Sequence, residues 1–305
     1  MVGPLSHIRV LDLSIVRAGP VAVRLLADWG AEVIRIEPPG ESDAQDVTGH
    51  WNSPDAQNLH RNKKGITLNL KDSRGYDVLK KLVATADVLV ENFKTDVKHR
   101  LKIDYESLRP INPRLIVASV SGFGQTGPYA TRPGFDQIVQ GMSGLMSLTG
   151  VPDGEPMRAG IAVSDTSAGM FLGQGILLAL IERERTGQGQ LVHTSLLEAM
   201  LSKLDFQAAR YTMAGEVPGR EGNHHPTAAP MGVFKASDGH VNLAATTGRM
   251  WRNFCHALEL EHLLDDSRFS SNVQRVAHRQ LLINEIEKKT RSEEHTSELQ
   301  SPCNL

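Results

Sequence analysis

The stretch I-R-V-L-D-L-S-I-V-R-A-G-P-V-A-V-R-L-L-A-D-W-G-A-E-V-I-R-I-E, residues 8–37, decides the fold. Its two ends, Ile8 to Ser14 and Ala31 to Glu37, are short, apolar and β-branched, the character of buried strands. Between them Val21, Leu25, Leu26 and Trp29 recur on one helical face, Pro20 stands where a first turn tolerates it, and Gly30 is placed to stop the helix. Strand, short loop, helix and strand in so few residues make a βαβ unit, which is parallel and right-handed. The loop V-R-A-G-P at 16–20 therefore falls at the carboxyl edge of a parallel sheet, where open α/β folds bind their ligands.

The same alternation continues outward. Residues 65–70 read as a strand, 73–84 as a helix, and 87–91 (D-V-L-V-E) and 115–121 (L-I-V-A-S-V-S) as further strands, so the expected class is α/β with a Rossmann-like, doubly wound parallel sheet. No G-x-G-x-x-G follows the first strand, which removes the main support for a nicotinamide or flavin site. Residues 122–136, rich in glycine and proline, read as a long loop, and loops of that length are usually functional. Helices are expected over 137–147 and 166–185, then a short strand leading into a helix over 191–203. At about Ala214 the composition turns polar and proline-bearing, and Asp238-Gly239 reads as the turn of a hairpin. Amphipathic helices over 251–258 and 280–289 follow, giving a large domain over 1–213 and a smaller α+β domain over 214–290.

Composition excludes several classes. Lys and Arg total 33 against 35 acids, a net charge of −2, which supplies no general field for nucleic acid or an anionic membrane. No uninterrupted apolar run reaches bilayer length and the first residues lack a secretory layout, so a cytoplasmic protein is expected, with no membrane partner. Two cysteines, Cys255 and Cys303, cannot frame a disulfide scaffold and lie outside metal-ligand spacing. Cys255 reads as a core residue, His224-His225 as loop histidines, and no metal is expected. The last residues, R-S-E-E-H-T-S-E-L-Q-S-P-C-N-L at 291–305, continue no periodicity and resemble the in-frame translation of a sequencing-library adapter. They are expected to be non-native, the natural chain continuing beyond Thr290.

One acid stands apart. In G-I-A-V-S-D-T-S-A-G-M-F-L-G-Q-G-I-L-L, residues 160–178, Asp165 is isolated in an apolar setting relieved only by small residues. It reads as an N-cap of the helix that follows, or as a carboxylate nucleophile presented at that helix end, and the two roles are compatible. The basic residues Arg61, Lys63, Lys64, Lys71, Lys94, Lys98, Arg100 and Lys102 read singly as a solvated face, and as a group near strand ends as a grip for a polyphosphate.

These blocks together resemble family III CoA-transferases. The matching stretches are V-L-D-L-S-I-V-R-A-G-P at 10–20, L-A-D-W-G-A-E-V-I-R-I-E-P-P-G at 26–40, H-R-N-K-K at 60–64, D-V-L-V-E-N-F at 87–93 and I-N-P-R-L-I at 111–116. S-G-F-G-Q-T-G-P-Y at 121–129, R-P-G-F-D at 132–136, the Asp165 segment and R-E-R-T-G-Q-G-Q at 183–190 complete the set. The resemblance implies an interlocked homodimer, acyl-CoA and carboxylic acid substrates, and no cofactor beyond CoA as substrate. It implies that Asp165 is the catalytic aspartate, carrying first an acyl anhydride and then an aspartyl-CoA thioester. Carried over position by position, Arg17 and Ala18 belong to a CoA-contacting loop, and Leu68, Asn69 and Lys71 to the segment at the adenine and phosphate end. Asn92, Phe93 and Lys94 belong to the E-N-F turn, Arg100 to a phosphate contact, and Phe135 and Asp136 to the neighbourhood of the substrate. Asn92 equally reads as a turn residue and Asp136 as the cap of its own helix. Pro38 and K-T-D at 94–96 depart from the family's basic positions, with Lys94 or Lys98 as the compensating cation. The region 219–226 lacks the glycine-rich substrate loop of formate-using members, which reads against formate and oxalate. G-Q-T-G-P and H-R-N-K-K are most similar to the dicarboxylate-using branch. Two alternatives are an α-methylacyl-CoA racemase, which needs a histidine where Phe135 stands, and an inactive CoA-binding fragment.

Overall fold

A computed structural model describes residues 3–40 and 52–291; the tail at 291–305, apart from Arg291, lies outside the described residues. The chain divides into two compact units, one of residues 1–146 with 158–218 and a second of residues 147–157 with 219–305. The division falls at 218/219 rather than 213/214, because the helix Phe206–Ala214 closes on Gly215 at φ 69° and the linker follows it. The segment 147–157 joins the second unit through long-range bonds such as Arg220 to the Gly154 carbonyl, 2.7 Å, which local sequence does not reveal.

The first unit is built on six parallel strands: β1 (Arg9–Asp12), β2 (Glu32–Glu37), β3 (Lys63–Thr67), β4 (Val88–Glu91), β5 (Ile116–Ser121) and β6 (Leu191–Ser195). Their order is β3-β2-β1-β4-β5-β6, so the strand order reverses between β1 and β4. That reversal opens a crevice at the carboxyl ends of the two central strands. Alternate residues face opposite layers. Val10, Val33, Val88, Val90 and Ile116 pack with helices α1 (Ala18–Asp28) and α6 (Val163–Thr186), while Leu11, Leu89 and Val117 pack with α3 (Ser73–Val83). Each fully buried Val or Leu is worth roughly 1.5–3 kcal/mol over leaving it exposed. Three shorter helices complete the frame around the site: α2 (Pro54–His60), α4 (Thr95–Arg100) and α5 (Asp136–Met142), and α7 (Leu196–Lys203) follows β6.

Two differences from the sequence reading bear on the site. The third strand runs over 63–67, not 65–70, because Lys63 turns inward to a buried ion pair while Leu68 to Lys71 leave the sheet. The helix expected over 137–147 ends at Met142, and Gly144 at φ 94° breaks the path. Within the 24-residue α6 an 18-residue stretch has a mean hydropathy of 1.2, long and apolar enough to cross a bilayer, where no apolar run of that length was expected. Half of that stretch is buried within the protein, and the helix contacts α1, α5, α7 and the sheet.

The second unit holds the antiparallel hairpin β7 (Met231–Lys235) and β8 (His240–Ala244), turned through Ala236 to Gly239 as Asp238-Gly239 foretold. Phe234, Trp251, Phe254, Phe269, Leu282 and Ile286 form its core, together with a fully buried Cys255.

Candidate active site

The helix α6 runs against the strands. Its last turn is fixed at their amino ends, where Arg183 pairs with Asp87 at 2.9 Å and donates to the Arg114 carbonyl at 3.4 Å. Its first turn is therefore at the carboxyl edge, beside the first turn of α1. Small residues permit the approach: a Cβ on Gly169 would stand 2.6 Å from the Ala18 carbonyl oxygen and 2.8 Å from Val21 Cγ1. Arg17, the residue before α1, is thereby brought into the field of Asp165 and Asp136.

Asp165 is not the N-cap expected of it. It is the third residue of α6, whose N-cap position is Ala162 with no side-chain bond. The cap comes from another element: Asp136 Oδ1 accepts from the Ser164 amide at 2.8 Å and from the Asp165 amide at 3.4 Å. Nor does Asp136 cap its own helix, where it is the first residue after Phe135. Two of the unpartnered amides that open any helix are so satisfied, and the Asp136 charge sits at the positive helix end. Its other oxygen accepts from Gln140 Nε2 at 2.7 Å and lies 3.8 Å from Arg158. No hydrogen bond from a described residue reaches the carboxylate of Asp165. Burial and, after it, the neighbouring Asp136 charge push the Asp165 carboxyl up to about 6, with Arg17 pulling the other way. At neutral pH it is mainly ionised, poorly solvated and unengaged, the state of a nucleophile.

Arg17 is held by Asp55 of α2 in a two-pronged pair at 3.0 and 2.6 Å, and that bond raises its pKa further above the ordinary value. Ala18 is buried as the first residue of α1. Asn92 joins the loops beyond β1 and β4 across the crevice, donating to the Ile15 carbonyl at 2.7 Å and accepting from its amide at 2.9 Å. It is a clamp between loops rather than a local turn.

Beside that clamp lies a cleft of about 410 Å³. Its walls are the strand-end segments Leu13–Ile15, Arg35–Pro38 and Leu68–Lys71, with Phe93 and the α4 residues Val97 and Arg100. Of the expected CoA residues, Leu68, Asn69, Lys71, Phe93 and Arg100 come together here, whereas Arg17, Ala18, Asn92 and Lys94 do not line it. Apolar walls with Lys71 and Arg100 at the opening suit a planar base and a phosphate chain. Arg35, also in the wall, was not foreseen; it is nearly buried and paired with Glu37 at 2.8 Å. Its signal was a charge inside the strand pattern V-I-R-I-E.

Several cations proposed for polyphosphate binding are committed elsewhere. Lys98 is buried, with its ammonium on Glu91 at 3.3 Å, Ser119 at 3.2 Å and Gln125, so it does not compensate for the missing basic residues. Lys63 is enclosed against Asp12 at 2.8 Å, Arg61 pairs with Asp28 and Lys64 with Glu32. Lys98 instead fixes Gln125, and with it the loop after β5. Phe135 is 66% exposed. Among the described residues no group of three or more His, Cys, Asp or Glu could hold a metal ion.

This arrangement has relatives. The model of CoA-transferase family III matches residues 5–302. The chain belongs to CoA-transferase family III. As such it is a transferase of acyl-CoA metabolism. Among its relatives, a succinate–glutarate CoA-transferase of Agrobacterium fabrum is 44% identical over 90% of this chain and 72% of its own length. An acetyl-CoA:oxalate CoA-transferase of Acetobacter aceti is 40% identical over 94% of this chain and 75% of its own length. A solved CAIB/BAIF family protein of Brucella suis superposes with a TM-score of 0.83 at 38% identity, covering 98% of this chain and 81% of that one. The family's fold and the transferase class inferred from the sequence motifs are thus both found.

Proposed function

We propose that this family III CoA-transferase moves CoA from an acyl-CoA donor to a short carboxylic acid, probed best by dicarboxylates, with Asp165 as the covalent carrier. The observation that carries the reading is the division of labour between two acids: Asp136 caps α6, and the carboxylate of Asp165 is left unbonded among the described residues. A Asp165 oxygen attacks the donor carbonyl, the C–S bond breaks, and a mixed anhydride forms with release of CoA thiolate. The thiolate attacks the aspartyl carbonyl, giving an aspartyl-CoA thioester and the free donor acid. The acceptor carboxylate then displaces the thiolate to make a second anhydride. Thiolate attack on the acceptor's acyl carbon yields the new acyl-CoA and restores Asp165. The cleft lined by Lys71 and Arg100 holds the adenine and phosphate end, and burial around Asp165 limits water that would hydrolyse the intermediates. The reading includes a homodimer and CoA as substrate in place of a resident cofactor. The Agrobacterium relative's name supports a dicarboxylate acceptor, and the Acetobacter relative's name keeps oxalate in the test panel against the loop-based expectation.

A racemase needs two groups that exchange a proton at the α-carbon. Phe135 cannot carry one, and both oxygens of Asp136 are engaged. The test is to incubate the protein with succinyl-CoA, quench with hydroxylamine and map the peptides. A hydroxamate on the peptide holding Asp165, absent from Asp165→Ala together with on the order of 10³-fold or more of the turnover, supports the transferase reading. No adduct, with exchange of the α-hydrogen of a branched acyl-CoA in deuterated water, overturns it.

A further inference from the structure

Resting on the transferase reading of Asp165, we propose that Arg158 binds the distal carboxylate of a short dicarboxylic acid, whether that acid arrives as acceptor or as the acyl group of the donor. Arg17 lies in the field of both Asp165 and Asp136, whereas Arg158 faces Asp136, and the two cations are differently engaged. Arg17 spends its planar fork on Asp55 at 2.6 and 3.0 Å. Among the described residues Arg158, 47% exposed, makes only a 3.8 Å approach to Asp136 Oδ2 and a 3.5 Å bond to the Ile161 carbonyl. A guanidinium carries five N–H donors in a fork that fits a carboxylate two bonds at a time, so most of its capacity is open.

Its place is fixed from below. Gln140, fully buried, accepts from the Ala159 amide at 2.8 Å through Oε1 and donates through Nε2 to Asp136 at 2.7 Å and to the Ile161 carbonyl at 3.3 Å. The backbone next to Arg158 is thus pinned to the same acid that caps α6. One oxygen of Asp136 faces the amides at the start of α6 and the other faces Arg158, so the guanidinium stands across one carboxylate group from the helix end that bears Asp165. A substrate whose reacting carbon is at the Asp165 carboxylate and whose chain is two or three carbons long brings its second carboxylate toward that guanidinium. Without the cation, the second carboxylate would stand beside two acids of the same charge and be rejected.

The test compares the native protein with Arg158→Gln and Arg158→Lys, reading the first covalent step by hydroxamate formation on Asp165. Two donors are used, succinyl-CoA, which carries the second carboxylate, and butyryl-CoA, which lacks it. The expected result for Arg158→Gln is a loss of about tenfold or more in kcat/KM with succinyl-CoA and with glutarate as acceptor, little change with butyryl-CoA, and partial recovery in Arg158→Lys. Equal losses with both donors would reduce Arg158 to a partner of Asp136 and overturn the proposal, as would no loss with either. Absence of any adduct in the native protein would instead remove the transferase reading beneath it.

Discussion

At the scale of residues, two aspartates 29 positions apart depart from the capping roles their local sequences suggest. Asp165 stands where a helix cap is expected, yet its side chain caps nothing, because Asp136 supplies the bonds from a different element. A local pattern cannot show this; the isolated acid in an apolar stretch was legible, its freedom from capping was not. The same freedom has a pH signature. The Asp165 carboxyl is raised to about 6 from the ordinary aspartate value of 3.8, chiefly by burial. In the proposed mechanism the reactive form is the anion, so kcat/KM should fall on an acid limb centred near pH 6, tenfold per pH unit below it. The stability effect has the opposite sign. A carboxyl whose folded pKa exceeds its unfolded value costs stability above the folded pKa, and that cost is released as pH falls through about 6 toward 4. Asp165→Asn should therefore lose activity while gaining about 1–2 kcal/mol of stability at pH 8, with the gain vanishing near pH 4. Urea unfolding at the two pH values checks it, and an acid limb near 4 with no stability gain would contradict it.

At the scale of elements, the reactive turn exists because α1 and α6 approach closely at the carboxyl edge. The first βαβ unit and the C-terminal stop of α6, Gly187 at φ 71°, were plain in the sequence because period and punctuation are local. The commitments of the basic residues were not. Lys98 and Lys63 read as surface cations, and each proves to be a buried strut, since whether a charge faces solvent depends on partners from other strands. Gly169 is the test of the helix contact. Its missing Cβ leaves room for the Ala18 carbonyl, the residue next to Arg17. Gly169→Ala should force α1 and α6 apart, cost about 1–3 kcal/mol and lower kcat by displacing Arg17 from Asp165. Parallel unfolding and steady-state measurements check this, and an unchanged protein would show that the contact is slack.

At the scale of the first unit as a whole, the proposed function belongs to one sheet edge. The strand reversal between β1 and β4 opens the crevice, Asn92 ties its two lips, and the cleft beside it gathers segments that follow β1, β2, β3 and β4. Sequence motifs brought Leu68, Asn69, Lys71, Phe93 and Arg100 to notice one by one, and five of the nine expected residues converge on the cleft. Asp55, Gln140 and Arg158 escaped notice because each acts through a neighbour more than twenty positions away, and Arg35 because only the fold places it in the cleft wall. The central claim is that the acceptor's carboxylate and Asp165 share an anhydride, and one measurement reaches it directly. In a single turnover with a dicarboxylate acceptor labelled with oxygen-18 in both carboxylates, thiolate attack on the acceptor's acyl carbon leaves one acceptor oxygen on the enzyme. Mass analysis of the peptide holding Asp165 should show one oxygen-18 atom on that side chain. Turnover that leaves this peptide unlabelled would contradict the account.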